Sequence, residues 1–265
     1  MPLVSINILT KNRAELLRRA LLSVAAQSFP DYEVVIVNDG STDPTAELLK
    51  NFPPKADPPL AEKFKNLKII AHPVSLGIIK SRQEALEKSV GEYVAVLDDD
   101  DEWIDFDKLK KQVEFLDAHP DYVLVGGGIK VIFNFLSFTK ASEDRKFSIL
   151  KTRPETDAQI RRTMLFRNNF FTSTVMFRRE AAVKAGGFIK DADDLAEDYD
   201  LWLRLGKLGK MYNFPEVFTA YRAPGYNKER FQAFFRKQLR LIGRHKTNYP
   251  HYWPAALILK ARLFL

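Results

Sequence analysis

The chain has 265 residues, 46% hydrophobic and 28% charged, with a formal net charge of +7 and no cysteine. That length suits one large α/β domain, or one domain with a substantial appendage, and it is long enough to bury a real core. The missing cysteines exclude disulfides, thiolate metal sites and a cysteine nucleophile. The basic balance leaves nucleic acid, anionic lipid and phosphorylated substrates to be weighed against plain solubility.

The chain enters a strand-like run directly, without a basic segment followed by a long apolar stretch, so no signal peptide is expected. No run of about 18 apolar residues is present to span a membrane. "LVSINIL" (3–9) reads as a strand, and "RAELLRRALLSVAAQS" (13–28) places Leu16, Leu17, Ala20, Leu21 and Val24 at helical spacing. "YEVVIVND" (32–39) is a β-branched strand. "STDPTAELLKNF" (41–52) opens a helix with Asp43 as N-cap and Pro44 at the first helical position. Residues 53–65 look like a surface excursion. A strand (67–72), a helix (77–90), the strand "EYVAVLD" (92–98) and a helix stopped by Pro120 (107–119) follow. Apolar strands alternating with helices indicate an α/β fold with a parallel sheet covered on both faces.

The second half is less regular. Residues 121–135 form a long strand or hairpin, and the polar, basic stretch 136–154 is expected to be a mobile loop. Residues 173–180 read as a strand then a turn, and "GGF" (186–188) as a turn. Residues 194–209 read as a helix with Leu195, Tyr199, Trp202, Leu203 and Leu205 as its apolar positions. Residues 227–246 form a basic amphipathic helix bearing Phe231, Phe234, Phe235, Leu239 and Ile242.

Three apolar strands end in polar residues: Leu9 at Thr10, Val37 at Asn38 and Asp39, and Leu97 at the run Asp98 to Asp101. Open α/β sheets bind ligands outside the carboxyl ends of their parallel strands. If these strands are parallel, Asp39 and the four aspartates converge on one edge. Clustered carboxylates suit Mg²⁺ or Mn²⁺, which take one or two carboxylates plus water and substrate phosphate oxygens. Such a cation would bridge a diphosphate and offset leaving-group charge. The alternative is that the run is solvated, or caps the helix starting near Asp107. Other phosphate-binding solutions are missing. No GxxxxGK[ST] occurs, "GGGIK" (126–130) does not fit GxGxxG, and no HExxH accompanies the four scattered histidines.

The blocks "VSINILTKNRAELLRRALLSVAAQSFPDYEVVIVNDGSTD", "SLGIIKSRQEALEKSVGEYVAVLDDDDEW" and "AEDYDLWLRL" resemble the inverting nucleotide-sugar glycosyltransferases of family 2, in order across residues 3–222. The resemblance implies a GT-A (Rossmann-like) fold with a mixed, mainly parallel central sheet flanked by helices. It implies a catalytic domain over 1–222, with 1–103 the nucleotide-binding half and 104–222 the acceptor half, then a C-terminal amphipathic helical extension over 223–265. It implies transfer of a sugar from a nucleotide-diphosphate donor, UDP favoured, to a hydroxyl of a glycan or lipid-linked acceptor.

The same resemblance assigns roles. Asp39 accepts a hydrogen bond from the nucleotide base. Thr10, Asn12 and Arg13 lie near base and phosphates, and Arg82 lies close to the donor. In the D-x-D pattern Asp98 sits near ribose or sugar with Asp99 beside it, and Asp100 is the ligand of Mn²⁺ or Mg²⁺. Asp198 is the catalytic base, with Glu197 beside it. The residue types agree, because inversion in one displacement needs a single base opposite the leaving group. The alternative for Asp198 is a surface charge, or a partner of Arg204 or Arg222. Three features depart from the pattern. Lys11 stands where an aromatic could lie against the base, Gln83 stands where Asn is common, and "EWIDFDKL" is one residue longer than the usual form, which shifts the register of Asp98 to Asp101 by up to one. Trp103 either anchors the following turn in the core or lines the acceptor cleft.

The tail, 230–265, mixes basic and aromatic residues. It is either an interfacial helix on anionic lipid or a helix packed on the domain, and a homodimer contact is also open. The expected location is the cytoplasm, peripheral on the inner face of the membrane if the tail meets lipid. A sugar nucleotidyltransferase would carry a Gly-rich basic loop after the first strand, which "TKNRAELL" lacks. A nucleic-acid-binding module conflicts with acidic strand ends, so no nucleic-acid partner is expected.

Overall fold

The structure is a computed structural model and describes residues 2–53, 57–132, 148–188, 196–222 and 228–263. Strands β1 (Val4–Thr10), β2 (Tyr32–Asn38), β3 (Leu67–Ala71) and β4 (Tyr93–Asp98) run parallel in the order β3-β2-β1-β4. Helices α1 (Ala14–Ala25), α2 (Thr45–Lys50), α3 (Pro58–Lys63) and α4 (Ile78–Lys88) occupy the connections. A strand covered on both faces must be apolar on both, and β4 illustrates it. Tyr93, Ala95 and Leu97 enter one core with Leu17 and Leu21, whereas Val94 and Val96 enter the opposite core with Trp202 and Leu205.

The second half adds β5 (Glu102–Trp103), α5 (Lys108–Ala118), β6 (Tyr122–Ile132), β7 (Ser148–Lys151) and α6 (Asp157–Thr163). A 3₁₀ turn (Thr172–Thr174), β8 (Met176–Arg178), α7 (Arg179–Lys184), α8 (Glu197–Leu205), β9 (Lys210–Arg222), α9 (Lys228–Arg244) and α10 (Tyr252–Arg262) complete it. Among the described residues the sheet runs β3-β2-β1-β4-β8-β6-β9-β5, with β7 paired to β6. β8 is antiparallel to both β4 and β6, so the sheet is mixed, as the sequence indicates.

Several elements differ from the sequence expectation. The excursion at 53–65 contains α3, because Asp57 accepts the Leu60 N–H at 3.0 Å and Pro58 pre-sets the first turn. Asp43 accepts the Thr45 N–H at 3.0 Å, but α2 starts one residue later than expected, with Pro44 at the cap. The turn expected near 179 is the start of α7. The loop expected over 136–154 ends in β7, which pairs antiparallel with β6, and its part at 136–147 lies outside the described residues. The helix expected over 194–209 spans Glu197–Leu205, and Leu195 lies outside the described residues. Strand β9 was not anticipated. Its pairing with β6 changes register between Gly126 and Gly128, where Asn213 gives way to Val217, and Pro215 sits in that break, where no ladder donor is needed.

Helices α9 and α10 pack into the same core as α8: Leu241, Ile242, Tyr249, Ala255 and Leu259 are buried with Trp202 and Leu205. No helix among the described residues is long and apolar enough to cross a membrane.

Candidate active site

Register brings the polar strand ends together. Thr10 is opposite Asn38 and Leu9 is opposite Asp98, so Thr10, Asp39 and Asp98 leave three adjacent parallel strands at one edge. They line a cleft of about 550 Å³ with Lys11, Arg13, Ser75, Gly77, Arg82, Asp99, Asp100, Tyr221 and Arg222.

Asp39 is held by the loop after β3. Ser75 Oγ donates to it at 2.6 Å, Leu76 N–H at 2.7 Å and Gly77 N–H at 3.1 Å, and His72 Nδ1 lies 2.8 Å away. Burial alone would raise its pKa, but these hydrogen bonds outweigh burial and hold the carboxyl well below the usual carboxylate range. His72 also meets Glu84 at 2.7 Å; burial works against its charge, but the two carboxylates raise its pKa. Gly40 makes this approach of chains feasible. Its φ is +70°, and an added Cβ would lie 2.5 Å from Ser75 N and 2.7 Å from the Val74 carbonyl carbon. Gly40→Ala is therefore expected to lower stability by more than about 1 kcal/mol and to displace the loop that fixes Asp39, measured as a lower thermal midpoint.

The four aspartates are not equivalent. Arg13 NH1 donates to Asp99 Oδ1 at 2.7 Å and to Asp100 Oδ2 at 2.8 Å, and Arg82 NH2 to Asp98 Oδ1 at 3.0 Å. Asp101 turns inward: Ser173 Oγ donates to its Oδ2 at 2.5 Å and the Arg222 N–H to its Oδ1 at 3.1 Å. Burial, with Asp98 nearby, pushes Asp101 up to about 8, and burial pushes Asp99 up to about 6 against the pull of Arg13. Ser173 Oγ also accepts the Asp98 N–H at 3.1 Å, so one hydroxyl clamps both ends of the run. The Ser173 carbonyl in turn accepts Trp103 Nε1 at 2.7 Å. Trp103 is buried, so it anchors the turn rather than lining the cleft.

Arg82 connects the aspartates to α8. This buried guanidinium donates through Nε to Glu197 Oε1 at 3.0 Å, while its other arm holds Asp98. Burial would lower its pKa, but Asp98 and Glu197 overcome that and raise it. Burial pushes Glu197 up to about 7 despite Arg82. Asp198, next along α8, accepts Thr172 Oγ1 at 2.5 Å and the Tyr199 N–H at 2.5 Å, and burial raises its pKa against Arg82. Arg204 is not its partner, since that guanidinium is bound to Asp200 at 2.7 Å.

Of the residues singled out from sequence, Thr10, Arg13, Asp39, Arg82, Asp98, Asp99 and Asp100 share the cleft. Asn12 stands apart: its φ is +56°, its Oδ1 accepts the Thr42 N–H at 2.7 Å, and it braces the loop after β2. Sequence reasoning missed Ser173, Tyr221, Ser75 and His72. Arg222 was considered only as a partner for Asp198.

Among the described residues no three His, Asp or Glu side chains are arranged to hold a divalent cation by themselves. Thr10 lies close enough to Asp99 to favour its ionised form, yet neither Thr10 Oγ1 nor Asp99 Oδ2 completes a hydrogen bond of ordinary geometry. Oxygen-only donors facing an open cleft fit a hard cation that takes its remaining ligands from water and substrate phosphate.

The profile of "Glycosyl transferase family 2" matches residues 5–185. An uncharacterized glycosyltransferase of Haemophilus influenzae is 27% identical over 228 residues, 84% of this chain and 66% of its own length. The amylovoran biosynthesis glycosyltransferase AmsE of Erwinia amylovora is 28% identical over 244 residues, 90% of this chain and 83% of its own. The mannosyltransferase PcManGT from Pyrobaculum calidifontis, solved with GDP-Man and Mn²⁺, superposes with a TM-score of 0.69 at 21% identity, covering 100% of this chain and 70% of its own. S. aureus TarS 1-349 with UDP-GlcNAc gives 0.67 at 20% identity, covering 98% and 70%. The fold is thus shared with these two solved structures. The chain belongs to glycosyl transferase family 2 and is a glycosyltransferase.

Proposed function

We propose that the chain is an inverting glycosyltransferase that moves a sugar from a nucleotide-diphosphate donor, UDP favoured, to a hydroxyl of a glycan or lipid-linked acceptor. The observation that carries the proposal is Arg82, whose two arms tie Asp98 to Glu197 and so join the donor-side aspartates to the helix bearing Asp198. One guanidinium thus ties carboxylates from stretches a hundred residues apart, which supports a displacement with donor and base on opposite sides of a sugar.

In this mechanism Asp39 accepts a hydrogen bond from the base, beside Thr10. Arg13 and Lys11 face the diphosphate, and Arg82 fixes Asp98 toward the ribose or sugar. Asp198 takes the proton of the acceptor hydroxyl as that oxygen attacks the anomeric carbon. Its raised pKa makes it a stronger base than an ordinary carboxylate, and Thr172 orients it. Asp100, with Asp98, would hold Mn²⁺ or Mg²⁺, which when bound supplies positive charge to the departing diphosphate. Mn²⁺ in the PcManGT structure and UDP-GlcNAc in that of TarS support this reading.

Calorimetric titration of UDP and of GDP, each with Mn²⁺ and with EDTA, tests the donor site. The expected result is metal-dependent binding of UDP that Asp100→Ala abolishes. Binding equal in EDTA would remove the cation from the reading, and no binding under any condition would overturn the donor site.

A further inference from the structure

Charge is distributed very unevenly along this chain. Residues 230–265 hold eight Lys or Arg and no Asp or Glu, so residues 1–229 sum to −1 and the tail supplies the whole positive excess of a +7 protein. The tail's apolar side chains fall into two sets. Most of those of α9 turn inward, with Leu241 and Ile242 buried and Phe235 and Leu239 packed on the core, while Phe231 near its start is exposed. Those of α10 point both ways. Ala255, Ala256 and Leu259 are buried on the domain, while Trp253, Pro254, Leu257, Ile258 and Ala261 are exposed.

At 3.6 residues per turn the five exposed residues fill the half of α10 opposite its buried face. Lys260 borders that half on one side and Arg262 on the other, and both are exposed. Trp253 is 78% and Leu257 71% exposed, four residues apart on one ridge. A helix apolar all round is normally covered on both sides. A bare apolar ridge with an indole at its start and basic side chains along its edges has the chemistry of the bilayer boundary, where the indole sits at headgroup level and Lys and Arg reach anionic phosphates. The absence of any carboxylate in the tail means that nothing within it opposes such a surface.

We propose that the outward ridge of α10, Trp253-Leu257-Ile258 bordered by Lys260 and Arg262 and joined by the exposed Lys246 of the same tail, docks the protein on an anionic lipid bilayer, lying on the surface rather than spanning it. Of the two readings the sequence left open for the tail, packing on the domain describes most of α9, and the lipid-facing role falls to α10. The inference does not depend on the donor site, so the two readings fail separately.

The chain provides its own probe. Of its three tryptophans, Trp103 is 3% exposed and Trp202 0%, so Trp253 is the one whose surroundings a bilayer would change. The full chain is mixed with phosphatidylcholine vesicles, with and without phosphatidylglycerol, and followed by flotation and by tryptophan emission. The expected result is binding that requires phosphatidylglycerol, weakens with added salt, and shifts emission to the blue. The shift is expected to be absent in Trp253→Phe. Trp253→Ser with Leu257→Ser is expected to lower partitioning about tenfold or more, and Lys246→Glu with Lys260→Glu and Arg262→Glu to remove the dependence on phosphatidylglycerol. All these side chains are exposed, so an unchanged thermal midpoint separates loss of binding from loss of fold. No binding at low salt, or binding indifferent to the ridge, overturns the proposal. So does a concentration-dependent dimer that the serine variants dissolve, which would assign the ridge to a second copy. Capture of RNA in place of vesicles, lost in the Glu variants, would overturn it as well.

Discussion

Asp198→Asn is expected to lower kcat by about 10²–10⁴-fold, the contribution of a positioned general base, while leaving the affinity for nucleotide diphosphate unchanged. The two readouts must separate if Asp198 acts on the acceptor proton as proposed, because it is absent from the lining of the cleft that holds Thr10, Asp39 and Asp98. The pH profile offers a second check. Burial raises the Asp198 carboxyl above its ordinary value of about 3.9. A base works only when ionised, so wild-type kcat should rise with pH along an acid limb set above the usual carboxylate range. The asparagine variant should lose that limb. An unchanged limb, or a loss confined to KM, would remove Asp198 from the role of base.

The second large effect concerns Arg82. Its removal leaves Asp98 and Glu197 facing each other's surroundings with no counter-charge, and Glu197 is buried. Breaking a buried pair by deleting one partner typically destabilises by about 3–5 kcal/mol, and Arg82→Ala is expected to fall in that range by denaturant unfolding. The sign with pH follows from Glu197. Its folded pKa, about 7, lies above the ordinary value, so its charged form destabilises the fold. That penalty is absent below an unfolded value of about 4.3 and grows as pH rises through the folded value. Without Arg82 the folded pKa rises further, so the gap between variant and wild type should be wider at about pH 8 than at about pH 5.5. Arg82→Lys should recover only part of the loss, since one ammonium lacks the forked geometry that reaches two carboxylates. An equal gap at both pH values would mean that Glu197 is already neutral in the wild type.

How much of this was legible in the sequence depended on whether a residue's role was set by its own neighbours in the chain. β1, β2 and β4 are mostly apolar runs, and their polar ends announce a shared edge because strand ends in such sheets converge by construction. Other roles arise only from chain crossing. Ser173 is a short polar side chain in a nondescript stretch, and nothing nearby tells that the Asp98 N–H and the Asp101 carboxylate reach it from seventy-odd residues away. Lys108 looks like a solvated position in "DKLKKQ", yet it is fully buried, donating to Gln112 Oε1 at 2.8 Å with its ammonium 4.1 Å from the Trp103 ring centroid. Pro215 disguised β9 by breaking its pattern at the point where the ladder itself breaks.

The placement of β8 between β4 and β6 has a consequence for synthesis on the ribosome. β4 is complete at Asp98, but the strand that covers its open edge begins at Met176, roughly eighty residues later. At about 5–20 residues per second the nascent chain waits several seconds with an apolar β edge uncovered, the situation in which sheets recruit neighbouring chains. Helices α1 and α4, made earlier, already pack on the faces of β4, and α5 adds Leu109, Val113 and Leu116 inside that interval, but none of them pairs with its open edge. A fragment ending near residue 103 would keep Asp39 and Asp98 to Asp101 and still be an aggregating species. The residues that gather at the strand ends thus come from a stretch that is not by itself a unit of folding.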